Sequence, residues 1–431
     1  MAAGAVVLIV GLLAIGTATP GGPLPGPLPL FPADNWWNVD VSSAPVDPAS
    51  AAYIAFINDG SVRSLHPDFG GEVSPGSVQI YGLPYVVVDG LVPKQTVSFL
   101  YGDESDGVDH ETGLSYPFYP IPDEAITQPH WIEGGEPGNV DLRASADRHL
   151  LIVDGDNRHL YELYNVFHDG GGWLAGSGAV FDLDASDRRP DGWTSADAAG
   201  LAILPGLVRY DEVFGAGEIE HAFRVTVRAT NGYVYPASHQ AGSTPGALPM
   251  GARLRLKPGV DISGYAPEIQ RIFTAMKHYG LIVADNGSDL FVSGTFDTRW
   301  DNDVLNPAFA SITADDFEVV ELSYRPPFTD DPLVPGVTVV RAVHFYELRA
   351  RIDALRGGYG LMPFSWTDDS LVAGVTPIKA IHVTELRTAL SEAYAAAAQP
   401  APAYTDPGVG SGTPIKALHV AELRGFVTAL E

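Results

Sequence analysis

Acids, histidines, tyrosines and tryptophans concentrate between His149 and His239. On a strand through Tyr161-Glu162-Leu163-Tyr164, alternation puts Leu160, Glu162, Tyr164 and Val166 on one face. A carboxyl among apolar and phenolic neighbours holds its proton to higher pH, as a general acid requires. Glu162 is therefore the expected acid, with Tyr164 beside it; a Glu at a cleft edge or strand end is the plainer alternative. In residues 217–224, alternation groups Ile219, His221, Phe223 and Val225 opposite Glu220 and Arg224. His221 is then a satisfied core histidine, the commoner outcome, or a base facing a cleft. Thr194-Ser195-Ala196-Asp197 reads as a helix start or tight turn. Asp197 either caps it or joins the catalytic set with Glu162 and His221.

Flat apolar faces match pyranose rings, so Trp173 and Trp193 are expected sugar platforms, with His239 and Arg224 as polar binding residues. Trp300, Tyr233, Tyr235, Asp285 and Asp301 are weaker candidates. Asp182, Asp184 and Asp187 space oxygen donors like a calcium loop but lack its later Gly and bidentate Glu. A solvated turn is the simpler reading, and no other cofactor is expected. The chain has no G-x-S-x-G elbow, Walker loop, dinucleotide fingerprint or H-E-x-x-H.

The elements that must position these residues are mostly strands. Residues 77–88, 96–101, 149–153, 159–166, 223–227, 253–257, 290–293 and 317–322 combine β-branched and aromatic residues with turn punctuation. Asp154-Gly155-Asp156-Asn157 marks the clearest hairpin. Asp47-Pro48 opens a short helix to Asn58. Ile269, Ile272, Phe273 and Met276 define a helix over 266–279, stopped by Gly280. Residues 33–325 thus form one mainly β domain with a few helices, expected as a jelly-roll or related sandwich.

Ahead of it, residues 1–19 resemble a signal peptide, with an apolar run from Ala5 to Ile15 and small residues at 17–19. No Lys or Arg precedes Arg63, so the usual positive region is missing, which points to a start that is truncated or misassigned. Residues 20–32 are Pro- and Gly-rich and read as a spacer.

Residues 326–431 carry three related units, about 328–365, 366–403 and 404–431. Phe328-Thr329-Asp330, Trp366-Thr367-Asp368 and Tyr404-Thr405-Asp406 each precede a helix containing His344, His382 or His419 in His-x-x-Glu-Leu-Arg. His and Glu three apart on a helix can meet, so a His–Glu bond within a repeat interface is expected in preference to a metal site. Each aromatic is expected to pack on the next helix, with the Asp capping a turn.

The net charge of -28 argues against nucleic acid and anionic membranes as partners. There is no cysteine, hence no disulfide or thiol chemistry. No later segment is apolar enough to span a membrane.

Four stretches, FPADNWWN, DGWTSADAAGLAILPGLVRYDE, EIEHAFRV and KHYGLIVADNGSDLFVSG, resemble an uncharacterised family of secreted bacterial proteins across most of the large domain. The tail resembles a module found on assorted exported bacterial proteins. It is loosely similar to S-layer homology units, which come in threes and join an aromatic-x-Asp to an Ile-x-Arg-Ala-Glu helix. The units here are shorter, and the acid is elsewhere. Neither resemblance brings an established activity.

The expectation is an exported, glycan-active enzyme, a polysaccharide hydrolase or lyase outside the cell or at its surface. The alternatives are a non-catalytic surface protein that binds glycan or protein, and a metal-dependent enzyme using His221, His239 and Asp residues.

Overall fold

The computed structural model describes residues 16–334, 337–368, 371, 376–410 and 412–431. The apolar run Ala5 to Ile15 lies outside them. Two large sheets organise the body. Their strands, in chain order, are β1 (Ala18–Pro20), β2 (His66–Asp68), β3 (Tyr85–Val88), β4 (Leu150–Asp154), β5 (His159–Tyr164), β6 (Ser177–Asp182), β7 (Phe223–Val227), β8 (Arg253–Leu256), β9 (Leu281–Asn286), β10 (Phe291–Ser293) and β11 (Phe317–Val319). The first sheet runs β1-β3-β4-β5-β6 and the second β11-β8-β9-β7-β10-β2. Both are mixed: β3 pairs parallel with β4, β7 with β9, and β10 with β2. The expected β-rich body is present. A jelly-roll is antiparallel throughout, so that topology is not what these sheets display.

Alternation explains the layers. Along β5, Leu160 and Tyr164 face a buried layer shared with Leu204, Ile282 and Ala284 of the second sheet's side. Tyr161 and Leu163 face the opposite way, onto Val97, Trp131 and Trp173. The second sheet's far face carries Phe223, Val225, Leu281 and Val283. It is covered by α1 (Ser50–Asn58), α2 (Pro267–His278) and α3 (Asn302–Ala310). The order is helices, sheet, sheet, then a three-stranded sheet of Val97–Phe99, Trp173–Ala175 and Phe167–His168.

The Pro/Gly-rich stretch is not a free spacer. Leu30 and Phe31 are buried in the layer between the sheets, and residues 18–20 pair with β3. Prolines that cannot donate to a ladder still supply apolar surface, and the intervening leucines fill it.

The tail forms α4 (Ala342–Gly358), α5 (Ala380–Ala396) and α6 (Ala417–Leu430) around one apolar core. Its histidines are capping residues. His344, His382 and His419 each accept at Nδ1 from the backbone N–H three residues earlier, at 3.2, 3.2 and 3.3 Å. Their Nε2 atoms face the Asp of their own Aro-Thr-Asp, at 3.0, 3.0 and 3.1 Å. The expected His–Glu bond is therefore corrected. Glu347, Glu385 and Glu422 instead accept from the backbone N–H of Thr329, Thr367 and Thr405.

The arginines link the units in a circle. Arg349 donates to Thr367 O and Arg387 to Asp406 O, each in the following unit. Arg424 of the third unit donates to Thr329 O and Glu347 of the first. The same three guanidinium groups lie over Trp366, Tyr404 and Phe328 at 5.2, 4.1 and 4.7 Å. These three arginines come from the preceding unit of the ring, not from the next helix as expected; Phe328 and Tyr404 also meet the next helix, at Arg351 and Phe426, and the array is a closed ring. No helix among the described residues is long and apolar enough to cross a membrane.

Candidate functional site

At one end of the inter-sheet layer, where β5 and β9 finish, a cleft opens. Its lobes, about 420 and 190 Å³, share Asp147, His149, Asp285 and Asn286. Tyr101, Glu104, Tyr164 and His239 line the larger lobe; Asp68, Glu133 and Arg224 line the smaller.

A β-bulge places Asp285. In the parallel β7/β9 pair, Val225 lies opposite Val283 but Thr226 lies opposite Asp285, so Ala284 is the extra residue. Strict alternation would send Asp285 to the helix-covered face with Leu281 and Val283. The bulge returns it to the side of Arg224 and Thr226. There Asp285 accepts from Arg224 Nη2 at 3.0 Å and from the Asn286 N–H at 2.7 Å. Burial pushes its carboxyl up, Arg224 opposes this, and the nearby Asp197 charge adds to it; the result is about 6.

His149 occupies the floor. Its Nδ1 lies 2.7 Å from Glu133 Oε2, and its Nε2 lies 3.0 Å from Ala196 O. Both partners only accept, so both ring nitrogens donate and the ring is an imidazolium. Burial opposes that charge, but Glu133 outweighs it and raises the His149 pKa to about 9. Burial likewise favours neutral Glu133; the His149 charge, its hydrogen bonds and Arg224 together hold that carboxyl below its ordinary range. Between Asp147 and His149, Arg148 turns away into the core and donates to Glu136 O and Pro137 O at 2.8 and 2.7 Å. That fixes the loop from which its two neighbours reach the cleft.

The second floor cation is Arg224. It donates to both oxygens of Asp197 at 2.8 Å and to Ser293 Oγ at 2.8 Å. Each floor cation therefore has a buried or half-buried carboxylate of its own. The Asp147 and Asp68 side chains have no hydrogen bond or ion pair among the described residues and are exposed at the mouth.

The expected residues are only partly brought together. Tyr164, His239 and Arg224 line the cleft. His239 Nδ1 faces Ala198 O at 2.8 Å, so in the neutral ring Nδ1 donates and Nε2 keeps its lone pair. Asp197 is buried beneath the wall as the counter-charge of Arg224, a supporting place in contrast to the catalytic one expected.

Glu162 does sit in the expected environment, and burial lifts its carboxyl to about 7 against the backbone N–H groups of Leu204 and Ile203. It has no exposed surface, however, and both oxygens accept from Ile203 and Leu204 at 2.8–3.0 Å. Residues 193–204 cross the apolar layer without a sheet partner, so their N–H groups need acceptors, and Glu162 supplies them. His221 is the satisfied core histidine: Nε2 meets Glu212 at 3.0 Å and Nδ1 meets Ala222 O at 2.9 Å. It is not grouped with Glu162 or His239 in the cleft.

Trp173 is core, packed edge-on against His168. Trp193 is half-buried between His110 and the Arg189 guanidinium, one residue from the cleft-lining Thr194. In the suggested calcium loop, Asp184 is paired with Arg158 at 2.7 Å, Asp182 accepts from the Asp184 N–H, and burial, with the charges of Asp353 and Asp182, raises the Asp187 carboxyl to about 6. Among the described residues no three His, Asp or Glu side chains are grouped as a metal ion needs.

Sequence reasoning passed over Glu104, Glu133, Asp147 and Asp68. Their signal is weak, since each sits at a short strand's end or on a loop far along the chain from Asp285. Comparison with protein-family models, with curated proteins and with solved structures finds no match.

Proposed function

We propose that the chain is a glycan-cleaving enzyme, a polysaccharide hydrolase working outside the cell, with Asp285 as the acid and Asp147 as its carboxylate partner. The observation that carries this reading is Asp285 itself: a cleft-lining carboxyl held at about 6, within one cavity with an unpaired carboxylate. Below that pH it keeps a proton to give to a departing glycosidic oxygen. Asp147 remains available to activate water or to attack carbon. Tyr101, Tyr164 and His239 supply the hydroxyl and imidazole contacts that hold a sugar.

Hydrolysis is favoured over lyase action on uronate polymers. Glu104, Glu133, Asp147, Asp285 and Asp68 line the cleft against the cations His149 and Arg224, which are both paired already. A polyanion would meet net repulsion. The likeness to secreted bacterial proteins supports a place outside the cell, and the ring-shaped tail suits anchoring or assembly.

The test is a screen of purified protein on a broad glycan panel, reading reducing ends and pull-down together. Cleavage that Asp285→Asn lowers roughly hundredfold supports the reading. Binding with no cleavage of any glycan would leave a non-catalytic glycan-binding protein instead.

A further inference from the structure

The charges of the cleft do not balance, and the imbalance points to a substrate. At the floor the pairs cancel: His149 with Glu133 at 2.7 Å, and Arg224 with Asp197 at 2.8 Å. What remains is acidic. Asp147 lines both lobes, and Asp68 lines the smaller one; among the described residues neither is in an ion pair, and Arg224 acts on Asp68 only at longer range. Among the described residues the Glu104 side chain is held by the Thr194 N–H at 2.9 Å alone, which positions the carboxylate without neutralising it. Asn286, also common to both lobes, has a buried Oδ1 that accepts from no group among the described residues. Asp147 and Asp68 are thus acceptors without donors among the described residues, in a cavity open to solvent.

A neutral sugar would answer them with hydroxyl groups alone and leave the negative charge uncompensated. An ammonium group answers both needs, with three N–H donors and one positive charge. The net charge of -28 reinforces attraction of a polycation to the mouth. We infer that the glycan cut in this cleft is built from amino sugars with free amines, such as de-N-acetylated glucosamine polymers, whose ammonium groups pair with Asp68 in the smaller lobe and leave Asp147 free as the partner of Asp285. This inference rests on the hydrolase reading above and narrows it.

The test compares oligosaccharides of one backbone and length: glucosamine oligomers, their N-acetylated forms and cello-oligosaccharides, with oligogalacturonates as the anionic control. N-acetylation removes the charge and keeps the ring linkage. The expected result is cleavage of the glucosamine oligomers with kcat/KM at least tenfold above both neutral series, a preference that shrinks as salt rises. Asp68→Asn should raise KM for the glucosamine oligomer about tenfold and narrow the preference, with a smaller effect on kcat. The variant's unfolding transition, measured alongside, separates lost recognition from lost folding. Equal cleavage of neutral and amino-sugar oligomers overturns this inference and leaves the hydrolase reading standing. So does a preference that Asp68→Asn leaves unchanged in a folded variant. No cleavage of any of these oligomers overturns this inference, and the hydrolase reading falls with it only where the broad glycan panel also shows no cleavage.

Discussion

Two charges beneath the cleft, His149 and Arg224, are almost wholly buried, and their energetics set the behaviour of everything above them. His149 is raised to about 9 from an ordinary value of 6.5. A histidine raised on folding contributes stability that is complete below its unfolded pKa and is lost as pH climbs through the folded one. Urea unfolding should therefore weaken by about 3 kcal/mol between pH 6.5 and pH 9.5 from this interaction. His149→Gln should be less stable at pH 6.5 and lack that part of the slope; a variant with the wild-type slope would show that His149 is not the titrating group.

Glu162 separates support from chemistry at the same scale. Its two oxygens hold backbone N–H groups, which a Gln carbonyl oxygen can still accept in part. Glu162→Gln should keep cleavage within about threefold of wild type, whereas Glu162→Ala should lose roughly 3 kcal/mol of stability by orphaning two buried donors. Cleavage abolished in a folded Glu162→Gln would return the acid's role to that residue.

At the scale of elements, much was legible in the sequence. The hairpin of β4 and β5 follows from alternation plus Asp154-Gly155-Asp156-Asn157, whose Asp154 side chain accepts from the Asn157 N–H. The helix Pro267–His278 follows from its apolar spacing. β7 falls on the residues expected of it. The site was less legible for a physical reason. Asp285 reaches the cleft only because of the bulge at Ala284, and one extra residue in a parallel pair leaves no mark in the local pattern. Glu162 shows the converse. Its pattern pointed correctly to a carboxyl raised by burial, but no pattern of five residues reports that Ile203 and Leu204 would occupy both its oxygens. The tail histidines are similar: the recurrence was plain, while their partners, the Asp residues of the preceding turn, depend on how the chain folds back.

At the scale of the whole molecule, closure of the tail is the consequential feature. An open array loses one unit's worth of structure when one unit is removed, because each repeat touches only its neighbours. Here Arg424 bonds Thr329 and Glu347, and Arg351 bonds Glu431, so the last unit also completes the first. The body meets the tail through the Asp191 N–H on Gly358 O and through Arg325, which pairs with Glu431. Removing residues 404–431 should therefore abolish the far-ultraviolet helical signal of all three tail helices together. Loss of only the last helix's share would show that the ring does not cooperate.

On the proposed reading, the cleft performs acid–base cleavage through Asp285. The direct measurement is the pH profile of kcat/KM on a cleaved oligosaccharide, for the wild type and for Asp285→Asn. A general acid at about 6 must be protonated to act, so wild-type activity should fall as pH rises through about 6, and Asp285→Asn should be lower by roughly a hundredfold. An Asp285→Asn protein that cleaves at the wild-type rate with the same profile would contradict the account.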